Sequence, residues 1–268
     1  MSENRIETFV TTEHLAKNLE KDEYKVIDLR DYEKYEKGHI KGSVHINNNI
    51  FVQQDEDGLN ILPKEEILLL NLREKGINSN DKLILVDDVF NLNCSLAAWT
   101  FHYFGFLKVN LLDGALAKWE EENLPLTTEI PEFPKGDISF KVENPNILIS
   151  KDEILMSINS DDITYVDNRS EYALVLDQQG GNIPGAIHHW YLDLFEEFPD
   201  YFILKEKEDI EKELLDKGIK KNKTIVVYCE SAPQSALVYL VLKELAFPDV
   251  RLYLAGYDEW RIICSFLE

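Results

Sequence analysis

The stretch T-I-V-V-Y-C-E-S-A-P-Q-S-A-L-V-Y-L-V-L-K-E-L, residues 224–245, has the pattern of a strand, a short loop and a helix. Its first five residues are β-branched or aromatic, as in a buried strand. Cys229 follows at once, and beyond residues 230–235 the apolar residues recur with helical spacing. A buried strand that passes through a short loop into a helix is the building unit of α/β proteins. The stretch therefore predicts an α/β fold with a cysteine at the hinge.

A related pattern occurs twice along the 268 residues. The paired motifs keep the same order and a nearly constant offset of about 140 residues, which indicates an internal repeat. They are Val26-Ile-Asp-Leu-Arg30 with Tyr165-Val-Asp-Asn-Arg169, Gly38-His-Ile-Lys-Gly-Ser-Val-His45 with Gly181-Asn-Ile-Pro-Gly-Ala-Ile-His188, Lys75-Gly-Ile77 with Lys217-Gly-Ile219, and Asp113-Gly114…Trp119 with Ala255-Gly256…Trp260. The chain is therefore expected to hold two copies of one domain.

Each copy alternates short β-forming runs with helical patterns. In the first copy the predicted strands are residues 25–29, 83–86 and 109–112, and the predicted helices are residues 13–19, 64–75, 95–104 and 115–121. The second copy opens on a capping box, Ser150-Lys-Asp-Glu153, which starts a helix. Nearly continuous apolar strands separated by helices predict a central parallel sheet in each copy, flanked by helices on both faces.

The two copies are separated by residues 124–149, which contain four prolines and one glycine. Such a composition disfavours regular helix and strand and is typical of a linker. We predict a first domain over residues 1–123, an interdomain linker over 124–149 and a second domain over 150–268.

The composition excludes several classes of function. A net charge of −22 disfavours nucleic acid and anionic membrane surfaces as partners, since both need basic patches. No apolar run is long enough to span a bilayer, and the polar first residues do not have the form of a secretory signal. The three cysteines, Cys94, Cys229 and Cys264, are too widely spaced for a zinc or disulfide pattern. A reducing, cytoplasmic setting is expected, with no cofactor.

An adjacent histidine pair, His188-His189, has the look of a metal-binding fragment. A zinc site needs at least three protein ligands, and no third ligand stands at a usable spacing. No metal is therefore predicted.

Together these motifs resemble the rhodanese-type sulfurtransferases in their tandem form. The resemblance follows family order across nearly the whole chain: the Asp-x-Arg strand ends, the Gly-x-Ile-x-Gly turns, the loop after Cys229 and the closing Gly…Trp segments. It implies the rhodanese α/β domain used twice. It also implies an inactive first domain and a second domain that holds the catalytic cysteine near the interface.

The resemblance implies that sulfane sulfur moves from a donor to a thiol or cyanide acceptor through a persulfide on Cys229. The donor would be thiosulfate, mercaptopyruvate, or a persulfide or polysulfide, and a protein sulfur acceptor is a further candidate partner. A helix start lowers the pKa of a thiol, and loop N–H groups form a nest for an anion, so no histidine is needed. The candidate substrate-binding residues are those of the loop: Glu230, Ser231, Ala232, Pro233, Gln234 and Ser235.

The repeat also makes a prediction about the first copy. At an offset of 141, the strand before Cys229 lies over residues 82–87, so that Asp88 takes the place of the cysteine and Cys94 lies over Ser235. A carboxylate cannot hold a persulfide, and the first copy is therefore predicted to be inert in sulfur transfer.

The loop departs from the family pattern. Thiosulfate-using members have a basic loop and mercaptopyruvate-using members a glycine-containing one, whereas residues 230–235 contain neither a basic residue nor a glycine. An arginine that commonly follows the Asp-x-Arg motif is also missing, since the sixth residue after Asp167 is Ala173. A donor other than thiosulfate is expected, such as a neutral, cationic or protein-bound persulfide. Asp167 and Arg169 are predicted to form a buried structural pair.

Two other functions are possible for a cysteine in such a loop. Cysteine phosphatases need an arginine six residues after the cysteine, but Ser235 stands there and Glu230 would repel a phosphate. A phosphatase is therefore disfavoured. A rhodanese-fold sulfur carrier or interaction module with little or no turnover remains an open alternative.

Overall fold

Of the 268 residues, the computed structural model describes residues 8–21, 23–140, 144–176 and 181–267. The side chains of residues 175–176 and 264–267, among them Cys264, lie outside the described part.

The first copy contains nine strands and five helices among these described residues. The strands are β1 (Phe9–Val10), β2 (Tyr24–Asp28), β3 (His39–Ile40), β4 (Val44–His45), β5 (Gln53–Gln54), β6 (Asn60–Ile61), β7 (Lys82–Val86), β8 (Val109–Leu112) and β9 (Leu126–Thr127). The helices are α1 (Thr12–Asn18), α2 (Tyr32–Lys37), α3 (Glu65–Glu74), α4 (Leu92–Tyr103) and α5 (Ala115–Glu121).

Five of these strands form one parallel sheet in the order β1-β8-β7-β2-β4. Side chains of the central strand β7 alternate between its two faces. Leu83 and Leu85 pack in the cluster that includes residues of α3 and α4, whereas Ile84 and Val86 pack with residues of α1 and α5. Both faces of the sheet are thus covered by helices, which confirms the predicted architecture.

The second copy repeats this plan. Its strands are β10 (Ile163–Asp167), β11 (Ile187–His188), β12 (Phe195–Glu197), β13 (Phe202–Leu204), β14 (Thr224–Tyr228) and β15 (Val250–Leu252). Its helices are α6 (Lys151–Ser157), α7 (Glu171–Leu176), α8 (Lys207–Asp216), α9 (Pro233–Glu244) and α10 (Gly256–Leu267). The capping box predicted at Ser150 is present at the start of α6.

The second sheet has the order β11-β10-β14-β15, again parallel. Leu148 forms a single parallel bridge to Leu252 on β15, at the sheet position that β1 holds in the first copy. Ile225 and Val227 of β14 face the side of α8 and α9, and the alternate residues face α6 and α10. The repeat seen in the sequence is therefore a repeat of structure.

The two copies share a core. One hydrophobic cluster contains buried residues of both sheets, and α4 of the first copy packs along α9 of the second. These are the helices that follow the two equivalent strands β7 and β14. The linker begins against the first copy, where β9 pairs with β3 and the buried Ile138 donates its N–H to the Ile77 carbonyl at 3.1 Å.

The predicted element bounds agree with the structure to within one or two residues, except at α4. This helix starts at Leu92, three residues before the predicted start, because the side chain of Asp87 binds the N–H groups of its first turn. The short hairpins β5–β6 and β12–β13 were not predicted. No described helix is both long and apolar enough to cross a membrane.

Candidate active site

Cys229 lies immediately after β14, in the loop that leads into α9, and only 1% of it is exposed. Its sulfur is surrounded by hydrogen-bond donors. Backbone N–H groups of Ser231, Ala232 and Ser235 interact with the thiol and act to lower its pKa, and the Ser235 hydroxyl lies 3.4 Å from Sγ and 3.0 Å from the Ala232 carbonyl oxygen. The loop thus forms a nest that favours negative charge on the sulfur.

The predicted lowering of the thiol pKa is wrong in its net direction. Burial raises the pKa of Cys229 above its ordinary value, and the hydrogen bonds from the loop only partly oppose this effect. The sequence showed the helix start but not that the sulfur is closed off from water, and loss of solvation disfavours the charged form. Cys229 is therefore a protonated thiol at rest, with donors already placed for the thiolate.

The loop contains a strained residue. Ala232, the residue before α9, has φ 87° and ψ −39°, in a region of backbone conformation that suits glycine. Pro233 is the first residue of the helix, where the absence of an N–H costs nothing. The side-chain oxygen of Gln234 is buried and has no hydrogen-bond partner among the described residues. This oxygen could accept a hydrogen bond from a substrate.

Asp167 and Arg169 form the buried pair predicted from the sequence. The Arg169 guanidinium donates to both carboxylate oxygens of Asp167 and to the carbonyl of Gly181 at 2.9 Å. Its Cζ lies 3.6 Å from the ring centre of Tyr257, and its Nη1 lies 4.0 Å from the carboxylate of Glu230. The guanidinium is fully buried and shared between two carboxylates, so it ties the loop to the sheet.

Helix α10 holds the other side of the loop. The N–H of Tyr257 donates to the Cys229 carbonyl at 2.8 Å, and the N–H of Asp258 donates to the Glu230 carbonyl at 3.2 Å. This approach requires Gly256, because an added Cβ would lie 2.6 Å from the Cys229 carbonyl oxygen. In the second copy the glycine of the Gly…Trp motif thus lets α10 start against the cysteine loop.

The first copy also reaches this loop. The side-chain amide of Asn60, in strand β6, donates to the Ser231 carbonyl at 2.6 Å. The hairpin that carries Asn60 has no counterpart among the repeated motifs. Asn60 was therefore missed in the sequence, where no signal marked it.

In the first copy the residue equivalent to Cys229 is Asp87 and not Asp88. Asp28 pairs with Val86 in the first sheet, as Asp167 pairs with Tyr228 in the second, so the residues that follow are Asp87 and Cys229. The offset of 141 aligns the two helices, but the first loop is one residue longer, and the strands therefore align at 142. The first copy still has a carboxylate in place of a thiol.

Asp87 fills its own nest. Its carboxylate accepts from the N–H groups of four residues at 2.9–3.2 Å: Val89, Asn91, Asn93 and Cys94. Burial raises the pKa of Asp87, and these bonds oppose the shift. Cys94 lies at the position of Ser235, as predicted. Burial, followed by the charge of Asp87, raises the pKa of the fully buried Cys94 well above its ordinary value, so this thiol is unsuited to nucleophilic attack.

Comparison with known proteins agrees with this geometry. The family model of the rhodanese-like domain matches residues 11–122 and 150–262, one match for each copy. The chain belongs to the rhodanese-like family. The resemblance to tandem rhodanese-type sulfurtransferases is confirmed in both halves.

Relatives of this tandem rhodanese include named sulfurtransferases and a named sulfur carrier. It is 27% identical over 269 residues to the 3-mercaptopyruvate sulfurtransferase of Escherichia coli (strain K12), with 94% of each chain covered. It is 31% identical over 272 residues to the sulfur carrier protein TtuD of Thermus thermophilus, covering 95% of this chain and 93% of that protein. The crystal structure of SseA from Escherichia coli, a 3-mercaptopyruvate sulfotransferase, superposes with a TM-score of 0.79 at 28% identity, covering 93% and 98% of the two chains.

The histidine pair of this rhodanese separates in the fold. His188 Nε2 lies 2.8 Å from a backbone carbonyl, whereas the ring of the fully buried His189 lies beside Asp193 and Glu213. The possible ligand atoms of His189, Asp193 and Glu213 all lie within 4.8 Å of one another. The ammonium of Lys217 is 3.1 Å from Asp193 and 3.5 Å from Glu213, and so takes the position that a cation would need. We interpret this group as an ion-pair network.

Proposed function

We propose that this rhodanese is a sulfurtransferase in which Cys229 accepts sulfane sulfur as a persulfide and passes it to a thiol or cyanide. The observation that supports the proposal most strongly is the set of donors around Sγ: three backbone N–H groups and the Ser235 hydroxyl. In the first copy the same kind of nest donates hydrogen bonds to the carboxyl oxygens of Asp87. Such a nest of N–H donors can stabilise a thiolate or persulfide.

The proposed reaction has two displacements. The thiol of Cys229 gives up its proton and attacks the outer sulfur of the donor. A new sulfur–sulfur bond forms, and the old bond to that sulfur breaks with its electron pair staying on the leaving group. An acceptor thiolate or cyanide then attacks the outer sulfur of the persulfide, and the electron pair of the broken bond returns to Cys229 as thiolate. No net oxidation occurs in the protein and no cofactor takes part.

The loop supports a donor other than thiosulfate. Residues 230–235 contain no basic residue, and the nearby guanidinium of Arg169 is held between Asp167 and Glu230. A dianion would meet little compensating charge here. The proposed donor is therefore a neutral or cationic persulfide, or one bound to a protein. We propose a cytoplasmic setting, because the widely spaced cysteines suit a reducing compartment.

The second candidate function is that of a sulfur carrier with little turnover. A relative at 31% identity is named as a sulfur carrier protein, whereas the other relatives reported above are named as sulfurtransferases. In either case the proposed division is an inert domain over residues 1–123, a linker over 124–149 and a sulfur-bearing domain over 150–268. Proposed partners are a sulfur donor and either a small thiol, cyanide or a protein acceptor.

The proposal is tested by the mass of the intact protein. After incubation with mercaptopyruvate, thiosulfate or a polysulfide, and removal of the donor, the wild type should gain the mass of one sulfur atom. Cyanide should remove this sulfur and release an equal amount of thiocyanate. The variant Cys229→Ser should gain no sulfur, and the matched variant Cys94→Ser should behave as the wild type does.

The outcomes separate the candidates. An adduct that persists in Cys229→Ser would disprove the proposed nucleophile. Loading of one sulfur without repeated turnover would favour the carrier, and no adduct with any donor would favour an interaction module. Turnover of thiosulfate and cyanide as fast as in members with a basic loop would contradict the proposed donor preference.

A further inference from the structure

The hairpin β5–β6 of the first copy stands apart from the main sheet. Gln53 pairs with Ile61 and Gln54 with Asn60, and the turn is closed by the N–H of Asp55 donating to the Leu59 carbonyl at 2.9 Å. Among the described residues this sheet has only two strands. Each strand therefore has one edge outside the ladder, where an extended segment of another molecule could pair.

A groove of about 500 Å³ lies along this hairpin. Its lining is uniform in chemistry: four carboxamides and one aliphatic side chain. The residues are Asn49, Val52, Gln53, Gln54 and Asn60. None of them is charged, although the whole chain carries 50 acidic residues. A groove lined by uncharged donors and acceptors suits a ligand rich in amide groups.

The groove lies next to the cysteine loop, which it meets at Asn60. The Asn60 side chain that lines it also donates to the Ser231 carbonyl at 2.6 Å, and the N–H of Ser231 interacts with the thiol of Cys229. A molecule lying in the groove would therefore have one end beside the loop that holds the sulfur. The groove is provided by the inert copy and the sulfur by the other.

From these observations we propose that the hairpin groove binds the peptide part of the sulfur acceptor, an extended cysteinyl peptide with uncharged or basic neighbours. Carboxamides both donate and accept, as the backbone N–H and C=O groups of a peptide do. An edge strand adds main-chain hydrogen bonds to an extended segment. The net charge of −22 repels acidic peptides. This inference rests on the proposed function and deepens it.

The transfer step is balanced without any further reagent. The peptide thiolate attacks the outer sulfur of the Cys229 persulfide, so that a sulfur–sulfur bond forms on the peptide. The bond between the two sulfurs on Cys229 breaks, and its electron pair leaves on Cys229 as thiolate. The peptide departs as a persulfide, and the protein returns to its resting state after it takes up a proton.

The test compares acceptors that share one thiol but differ in peptide length. Wild-type protein is loaded with sulfur and separated from the donor. It is then mixed either with N-acetylcysteine amide or with an acetylated and amidated pentapeptide in which glycine precedes the cysteine and lysine follows it. The rate constant should be higher for the pentapeptide by about threefold to tenfold, the effect of one or two added hydrogen bonds. A pentapeptide with glutamate in place of lysine should lose most of this advantage. Fusion of the same segment to a folded protein distinguishes a protein tail from a free peptide as the acceptor.

Two variants make the test specific. Gln54→Glu places a charge in the groove and should abolish the pentapeptide's advantage over N-acetylcysteine amide. Asn123→Asp adds the same charge at an exposed position outside the groove and should preserve that advantage. Equal rates for the two acceptors in the wild type, or an advantage that survives Gln54→Glu, would overturn the inference.

A binding measurement separates this inference from the proposed function. The serine analogue of the pentapeptide cannot accept sulfur, but it should bind to the wild type and more weakly to Gln54→Glu in titration calorimetry. If the protein takes up no sulfur yet binds this analogue, the proposed function is wrong but peptide binding in the groove is supported. If it takes up sulfur and does not bind the analogue, only the inference about the groove is wrong.

Discussion

Cys229 combines two features that oppose each other, namely full burial and a set of donors around its sulfur. Burial raises the pKa of the thiol, whereas the donors lower it. The result is a thiol that is protected at rest and gains its stabilisation only once charge forms on sulfur. Interactions that strengthen as the reaction proceeds are those that accelerate it. The proposed sulfur transfer at Cys229 therefore does not require a histidine as a permanent base.

Ala232 offers a test of strain in this loop. Its backbone φ of 87° costs an L-residue about 1–2 kcal/mol because the side chain is crowded in this conformation. Glycine has no side chain and avoids that cost. We expect Ala232→Gly to change the free energy of unfolding by less than about 0.5 kcal/mol, because relief of the strain is offset by the lost buried methyl and by the freer unfolded chain. Unfolding in urea measures the change.

The matched control for this substitution is Ala236→Gly. Ala236 is equally buried but lies within α9, where glycine costs about 1 kcal/mol. The two substitutions remove the same buried methyl group, but only the one at position 232 relieves strain, so Ala236→Gly should cost about 1–2 kcal/mol more than Ala232→Gly. Equal losses of stability in the two variants would show that Ala232 is not strained.

The two strand–loop–helix units form the same kind of nest of backbone N–H groups around different side chains, Asp87 in the first copy and Cys229 in the second. Both nests form at the start of a helix, α4 or α9. Backbone N–H groups there turn toward the residue that comes directly after the preceding strand. In the first copy that residue is Asp87, whose two carboxyl oxygens accept hydrogen bonds from four backbone N–H groups. In the second it is Cys229, which carries a negative charge only when ionised. The first copy is thus closed by its own side chain.

The contrast between Asp87 and its neighbour can be measured. In Asp87→Asn an amide NH₂ would face two of the four N–H donors, which should lower the free energy of unfolding by about 2–4 kcal/mol. Asp88 forms only a partly exposed ion pair with Lys34, so Asp88→Asn should cost less than about 1 kcal/mol. Chemical denaturation of both variants tests the assignment. Equal losses would contradict the structural alignment of Asp87 with Cys229.

Periodicity was enough to predict the regular elements. Strands buried on both faces read as continuous apolar runs, and the repeat supplied each element twice, so the sheets and most helices could be located. The error at Asp88 arose because a loop in one copy is a residue longer, and a sequence offset cannot show where the extra residue lies. Only strand pairing, which brings Asp28 beside Val86, fixes the position.

The parts of the site that depend on distant contacts could not be predicted. Asn60 stands 171 positions from Ser231 in the chain, and no local pattern connects them. The raised pKa of Cys229 depends on how completely neighbouring elements exclude water, a property of packing. By contrast, the pair of Asp167 and Arg169 is local in sequence, and it was predicted correctly.

The first copy is a structural part of the candidate site. It supplies Asn60 to the cysteine loop and α4 to the packing of α9. The copies are further tied at Glu244 in α9, which accepts from the N–H of Thr8 at 2.8 Å and pairs with Lys207. Because one hydrophobic cluster spans both copies, we expect them to unfold together.

His102 makes this shared core sensitive to acid. It lies in α4, 1% exposed, beside the ring of Tyr239 in α9, and neither ring nitrogen has a hydrogen-bond partner among the described residues. Burial, followed by the charge of Lys243, lowers the pKa of His102 to about 4. An unfolded histidine has a pKa of about 6.5, so the unfolded state binds the proton first as the pH falls. The free energy of unfolding is therefore unaffected by protonation of His102 above about pH 6.5. As the pH falls from there toward 4, it should decrease by about 3 kcal/mol because of this residue.

The variant His102→Leu isolates this contribution. Between about pH 6.5 and 4 the free energy of unfolding should fall in both proteins. The fall should be smaller in His102→Leu than in the wild type, and the difference between the two should be about 3 kcal/mol. Tyr239→Phe changes the same contact but keeps the histidine, so it should keep the wild-type dependence on pH. Urea unfolding at a series of pH values measures both. If His102→Leu and the wild type lose stability in parallel, the histidine accepts its proton without leaving the interface, and acid does not act on the shared core through it.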